Sequence, residues 1–312
     1  MLEAPQWLVP AFARSARAIG ADAPPDRVEA VGRGLIDSWS SPDRYHHAVK
    51  HLVDVLASID QLAEETHDPD VVRIAGWYHG CEFTAQARAS YAHKGGEDTM
   101  ASAERARREL PELGVPAATV ERVGAMIAQI HRHSASSVDV DAQALSDADL
   151  AGLACEPQKY AAYRRNVRAE FAHIPAEDYL EARIAILQKL TARPQIFCSP
   201  MGRAWEEPAR ENIAAELCRL TAELESVEAA AQGPDAVHEP DDATPGDAVG
   251  RESGGSGPEA GHDGAGDDGA QGPRENAATS AARRVDRLSP ADGGARRSTS
   301  TLGRAPRPDP RS

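Results

Sequence analysis

The sequence predicts an all-α domain over roughly its first 230 residues, followed by a tail too poor in large apolar side chains to fold. Three observations carry this prediction. Apolar residues recur every three or four positions through the N-terminal part, and no segment sustains the alternation of a half-buried strand. After about Ala231 the large apolar residues nearly vanish and Gly, Pro, Asp and Ser take over. The chain of 312 residues is 41% hydrophobic and 4% aromatic, an average over a part that can build a core and a part that cannot. The expected organisation is a helical domain over 1–230 and a disordered Gly/Pro/Asp-rich tail over 231–312.

The helices follow from local signals. Ser41-Pro42-Asp43 marks a start, after which Val49, Leu52, Val53, Leu56 and Ile59 share one face. A second apolar run extends from Val71 to Tyr78. Val115-Pro116 opens a third helix, carrying Val120, Val123, Met126, Ile127 and Ile130, because proline suits a first helical turn. A short helix is expected over Asp147–Leu153, and Glu156-Pro157 opens another through Phe171. Pro175-Ala176-Glu177-Asp178 opens one through Leu190, with its acidic residues on the positive end of the helix dipole. The last runs from about Pro208 to Ala229. No internal repeat is visible. The tail is acidic from Gly233 to about Glu275, then basic from Arg283, with Arg283-Arg284 and Arg296-Arg297.

Composition narrows the function. A net charge of −15 argues against general nucleic-acid binding. Cys81, Cys155, Cys198 and Cys218 form no CxxC pair, which suits free thiols in a reducing compartment, so a cytoplasmic setting is expected. There is no signal-peptide pattern and no run of about eighteen apolar residues, so no membrane partner is expected.

Histidines and aspartates recur at cluster-like positions. His47 and His51 lie four apart, one turn on a helix face. His79 follows the apolar stretch Ile74-Ala75-Gly76-Trp77-Tyr78. His131 and His133 extend the faces of the third helix, and Asp147 and Asp149 follow in Leu145-Ser146-Asp147-Ala148-Asp149-Leu150. Singly, each has a plain structural reading: a core-satisfied imidazole, or a carboxylate at a helix start. Together, from four helices, they form the kind of set that holds a divalent cation with a place left for water.

The order of these residues resembles a known family. Arg44-Tyr45-His46-His47-Ala48-Val49-Lys50-His51-Leu52 is similar to the Arg-x-Tyr-His-x-x-x-His-Ile stretch of the predicted metal-dependent phosphohydrolases of the HD superfamily, in its small bacterial subgroup. Ala75-Gly76-Trp77-Tyr78-His79 resembles the Ala-x-Trp-Phe-His-Asp segment of that family. Ser102-Ala103 with Leu113-Gly114, then Ser146-Asp147-Ala148-Asp149-Leu150, resemble its next two stretches. Arg168-Ala169-Glu170-Phe171-Ala172-His173-Ile174-Pro175 and Glu207-Pro208-Ala209-Arg210-Glu211-Asn212 resemble its closing ones. The likeness spans about residues 30 to 225 in order and leaves out the tail.

The resemblance implies an HD-domain-like helical bundle with a C-terminal helical extension. It also implies a divalent metal (Mn, Mg or Zn) that activates water against a small phosphorylated substrate such as a nucleotide. Carried over residue by residue, His47 or His51, His79 and Asp149 are ligand candidates, and His133 matches a further family histidine. Three positions depart from the pattern. The doublet's aspartate is Gly80, the Asn-Glu pair is Asp98-Thr99, and a threonine before the late histidine is Ile130. Glycine supplies no side chain, so the site lacks an anionic ligand there. Glu82, Asp147 or Asp98 is a candidate to supply that carboxylate, Glu82 and Asp147 being the catalytic candidates, and Cys81 a thiolate for zinc. Three readings stay open: an active phosphohydrolase, a catalytically inactive protein that binds a ligand or partner, and a scaffold with a relict cluster. Placing aspartate at Gly80 is the test the sequence itself suggests.

Overall fold

The computed structural model describes residues 4–84, 96–130, 132–133 and 138–232. Among them are ten α-helices and one two-residue strand pair, so the fold is all-α as the periodicity predicts. In chain order the helices are α1 (Leu8–Ala18), α2 (Pro25–Trp39), α3 (Val49–Leu62), α4 (Pro69–Tyr78), α5 (Thr99–Glu112), α6 (Ala117–Ile130), α7 (Val140–Leu150), α8 (Pro157–Glu170), α9 (Ala176–Thr191) and α10 (Glu206–Gln232). Strands β1 (Phe83–Thr84) and β2 (Gly96–Glu97) pair antiparallel, with Phe83 opposite Glu97. The tail from residue 233 onward lies outside the described residues. No described helix is long and apolar enough to cross a membrane.

Helix α4 is the centre of the N-terminal bundle. Asp68 caps it by accepting from the Val71 N–H at 3.2 Å, Pro69 occupies its first turn, and Val71, Val72 and Ile74–Tyr78 are all buried. It packs against α1, α3, α5, α6 and α7, which enclose it. The approach of α3 is close enough that a Cβ on Gly76 would lie 2.7 Å from Ile59 Cδ1. Glycine at this position is what lets the two helices meet.

A second apolar cluster gathers Leu153, Tyr160, Leu180, Leu187, Ile196, Phe197 and Ile213 from α8 to α10 and the segments between them. Trp205 packs against both clusters. Within the second, Glu216 is buried and takes the Arg183 guanidinium at 3.0 and 3.1 Å and the Tyr160 hydroxyl at 2.5 Å. A buried carboxylate is tolerated there because both of its oxygens are engaged.

Several boundaries differ from the sequence reading. Helices α1 and α2 lie outside the elements read from the sequence, although Leu8 and Phe12 in α1 and Val28, Leu35 and Trp39 in α2 stand at helical spacing on their buried faces. Helix α7 begins at Val140, well before Asp147, since every residue from Asp141 to Ala148 is buried and no amphipathic stripe marks it. Helix α3 begins at Val49 rather than after Asp43, and Ala48 before it is extended. His47 therefore precedes the helix and does not share a helical face with His51. His133 follows α6 in a left-handed conformation (φ 41°), so it does not continue the helix face of Met126 and Ile130. His131 lies outside the described residues.

Replacing Glu216 with alanine strands the Arg183 charge in the second cluster. The expected loss is about 3–5 kcal/mol of unfolding free energy, read by chemical denaturation. A midpoint equal to that of the unmodified chain would contradict the assignment.

Candidate metal centre

His79 follows the last residue of α4 and is fully buried. Its Nδ1 lies 2.6 Å from the Gly76 carbonyl oxygen, which accepts a hydrogen bond from it. That bond fixes the tautomer and turns Nε2 toward His51 and Asp149. The two Nε2 atoms are 3.4 Å apart, and Asp149 Oδ1 is 3.1 Å from that of His51 and 3.6 Å from that of His79. The other Asp149 oxygen is 3.8 Å from His133 Nε2. One carboxylate from α7 thus faces imidazoles from the first turn of α3, the end of α4 and the turn after α6.

Burial works against the Asp149 charge, but the hydrogen bonds of His51 and His79 hold it well below the usual carboxylate range. Burial also opposes charging His79, and the Asp149 hydrogen bond and charge, with Glu97 adding, outweigh it and raise its pKa to about 9. Burial pulls His133 below the ordinary imidazole value.

The loop before α3 brings a fourth and a fifth ring. Glu170, the last residue of α8, accepts at Oε1 from the backbone N–H groups of Tyr45, His46 and His47 at 2.9, 2.7 and 2.7 Å. Its Oε2 is 2.7 Å from His47 Nδ1. These bonds hold residues 45–47 against the end of α8, just ahead of the start of α3. His47 stacks on Phe83, with centroids 5.2 Å apart, and stays partly exposed at the rim. The His46 ring lies 4.6 Å from that of His47 and 4.9 Å from that of His51, centroid to centroid.

Arg44 closes this loop onto the turn after α4. Its guanidinium donates to the carbonyls of His47, Gly80 and Cys81 at 2.8–2.9 Å and lies between the rings of Trp39 and Phe83. Trp39 is in turn fixed by its indole N–H, which donates to the Trp77 carbonyl at 3.0 Å.

Glu97 completes the cluster. One ligand atom each from His51, His79 and Glu97 lie within 4.8 Å of one another, and Glu97 Oε1 is buried with no hydrogen-bond partner among the described residues. Sequence reasoning missed this residue, which stands one position before the Asp98-Thr99 pair it singled out. The available signal was the glycine at 80, since a carboxylate absent from one place in a buried His cluster invites a search for another nearby. The supporting roles of Arg44 and Glu170 depend on contacts distant in sequence, and no spacing announces them.

The other candidates are engaged elsewhere. Glu82 is not a turn beyond His79 on a continuing helix, because α4 stops at Tyr78; its carboxylate faces Arg105 at 3.2 Å. Asp147 is fully buried and accepts from the Cys198 and Ser199 N–H groups at 3.0 and 2.7 Å, tying α7 to the segment before α10. Asp98 caps α5 by accepting from the Ala101 N–H at 2.9 Å. Burial pushes the Cys81 thiol up to about 11, against a role as a thiolate ligand. Of the sequence-derived metal candidates, the structure gathers His51, His79, His133 and Asp149 in direct proximity, with His47 one ring away at 5.7 Å from His51.

Comparisons with protein-family models, curated proteins and solved structures gave no match.

Asp147→Ala removes the acceptor for two backbone N–H groups, one of them on the buried Ser199. We expect it to cost about 2–4 kcal/mol of stability by denaturant unfolding. A cost below about 0.5 kcal/mol, the level of an ordinary surface substitution, would show that the clasp contributes nothing.

Proposed function

We propose that this protein is a divalent-metal phosphohydrolase acting on a small phosphoester, with the ion held by His51, His79 and Asp149. The observation that carries the reading is the meeting of two imidazole Nε2 atoms, 3.4 Å apart, at one buried carboxylate oxygen. Imidazole nitrogens and carboxylate oxygens suit Zn²⁺ and Mn²⁺, and Mg²⁺ where the carboxylates dominate. The donor set fits such an ion on a further count: the buried Glu97 Oε1 has no protein partner, a costly state that a cation would relieve. The resemblance to the HD superfamily points the same way.

A bound divalent ion supplies Lewis acidity, lowering the pKa of a bound water and polarising a phosphoryl oxygen. The protein's own groups orient the site. The Gly76 carbonyl holds His79 in one tautomer, and Glu170 fixes His47 through Nδ1, leaving its Nε2 as the nitrogen open to a substrate at the rim. His47 is the residue we assign to proton transfer with the leaving group, in place of Glu82 and Asp147, which are occupied by Arg105 and by the backbone.

A second reading, a catalytically inactive ligand-binding protein, draws on the same Asp149: its oxygens already pair with His51, His79 and His133, so this carboxylate has partners without an ion. Metal analysis of the full-length protein separates the two, with hydrolysis of bis(p-nitrophenyl) phosphate measured in Mn²⁺, Mg²⁺ and Zn²⁺. The expected result is metal-dependent turnover that EDTA abolishes and that falls by at least about 10²-fold in His47→Ala, the lower end of general acid–base contributions. Stoichiometric metal with no turnover on any phosphoester would favour the inactive reading. Absence of metal after reconstitution would overturn the site.

A further inference from the structure

We propose that Glu97 is itself a ligand of the divalent ion, reaching it through the space that a side chain at residue 80 would otherwise fill. This rests on the reading of His51 and His79 as metal ligands. It adds a residue from a different element and a constraint between two positions 17 apart in the chain.

The geometry has three parts. Glu97 presents a carboxylate oxygen within 4.8 Å of the ligand nitrogens of both His51 and His79. One of the two Glu97 oxygens, Oε1, is buried and has no hydrogen-bond partner among the described residues, whereas the Asp149 and Glu170 carboxylates are both engaged by protein donors. The neighbouring cation does not remove the need: the two terminal nitrogens of Arg44 are committed to the carbonyls of His47, Gly80 and Cys81. A buried carboxylate oxygen without a donor is expensive, and an ion shared with two imidazoles is the partner its surroundings offer.

Gly80 supplies the third part. A Cβ built at this residue would overlap Glu97 Oε1, approach Glu97 Cδ to 2.9 Å and meet the Trp39 ring at 2.7 Å. Trp39 is fully buried and its indole N–H donates to the Trp77 carbonyl, so a side chain at residue 80 also requires that ring to shift by several tenths of an ångström. The carboxylate of Glu97 therefore occupies the side-chain volume of residue 80. Its backbone is fixed on both sides, by pairing with Phe83 and by the Asp98 N–H donating to the Glu82 carbonyl at 2.9 Å. A carboxylate can be delivered next to His79 from residue 80 or from residue 97, but not from both at once.

The test is calorimetric titration of Mn²⁺ into EDTA-stripped full-length protein, comparing the unmodified chain with four variants. His79→Ala should abolish binding. Glu97→Gln, nearly isosteric, should weaken it by at least about 10- to 100-fold, the loss that even an indirect partner of a metal ligand produces. Gly80→Asp alone should also weaken binding, because two carboxylates compete for one space. Gly80→Asp combined with Glu97→Gly should recover most of the affinity. If the unmodified chain binds Mn²⁺ and His79→Ala abolishes it while Glu97→Gln binds normally, the metal site stands and the role of Glu97 is overturned. If the unmodified chain does not bind, both fall. Should Gly80→Asp fail to fold, the Glu97→Gln comparison decides alone.

Discussion

Arg44 is buried between the rings of Trp39 and Phe83, and its terminal nitrogens are spent on the carbonyls of His47, Gly80 and Cys81. Those three carbonyls belong to two segments that no helix joins: the loop entering α3 and the turn leaving α4. A guanidinium is suited to this because its donors are planar and fixed, so one side chain can hold two backbones at a set distance. With that tie in place, His47, His51 and His79 come to one point. Without it, the carbonyls of His47, Gly80 and Cys81 would lose the donors they have here.

The charges around this tie set the electrostatics of the histidine cluster. Asp149, Glu97 and Glu170 bring three carboxylates, and Arg44 is a permanent cation beside them, with Arg193 near His133 and Arg183 near His46. Burial lowers the Arg44 pKa, and the surrounding carboxylates and Cys81 act against that. His47 and His79 are drawn toward protonation by the same anions, against the cost of burial. Buried carboxylates in such a cluster draw positive charge, either as protons on imidazole or as a metal ion. The two are alternatives at one place, since a ligating nitrogen has to be free of its proton.

The C-terminal helices are part of the site's construction. Glu170 ends α8 on the backbone of residues 45 to 47, and Asp147 anchors the segment before α10 onto α7, two residues from Asp149. Trp205 fills the apolar seam between the two clusters. The extension thus sets the position of His47 directly and steadies the helix that carries Asp149.

The sequence by itself determined the helical class and most helices from Val49 onward, because their apolar faces repeat at the helical period. It also picked out His51, His79, His133 and Asp149, residues of chemical character placed near the ends of those helices. Helices α1 and α2 carry the same kind of signal, in Leu8 and Phe12 and in Val28, Leu35 and Trp39, whereas the true length of α7 was hidden because it is buried on all sides and has no stripe to read. The non-helical path of residues 41 to 48 was likewise hidden, since it depends on a carboxylate more than a hundred residues away. Only the tertiary structure decided what Gly80 means. In the sequence it is an absence. In the fold it is a side-chain volume beside His79 that Glu97 enters from strand β2, because packing fixes which atoms share a space and one-dimensional spacing does not.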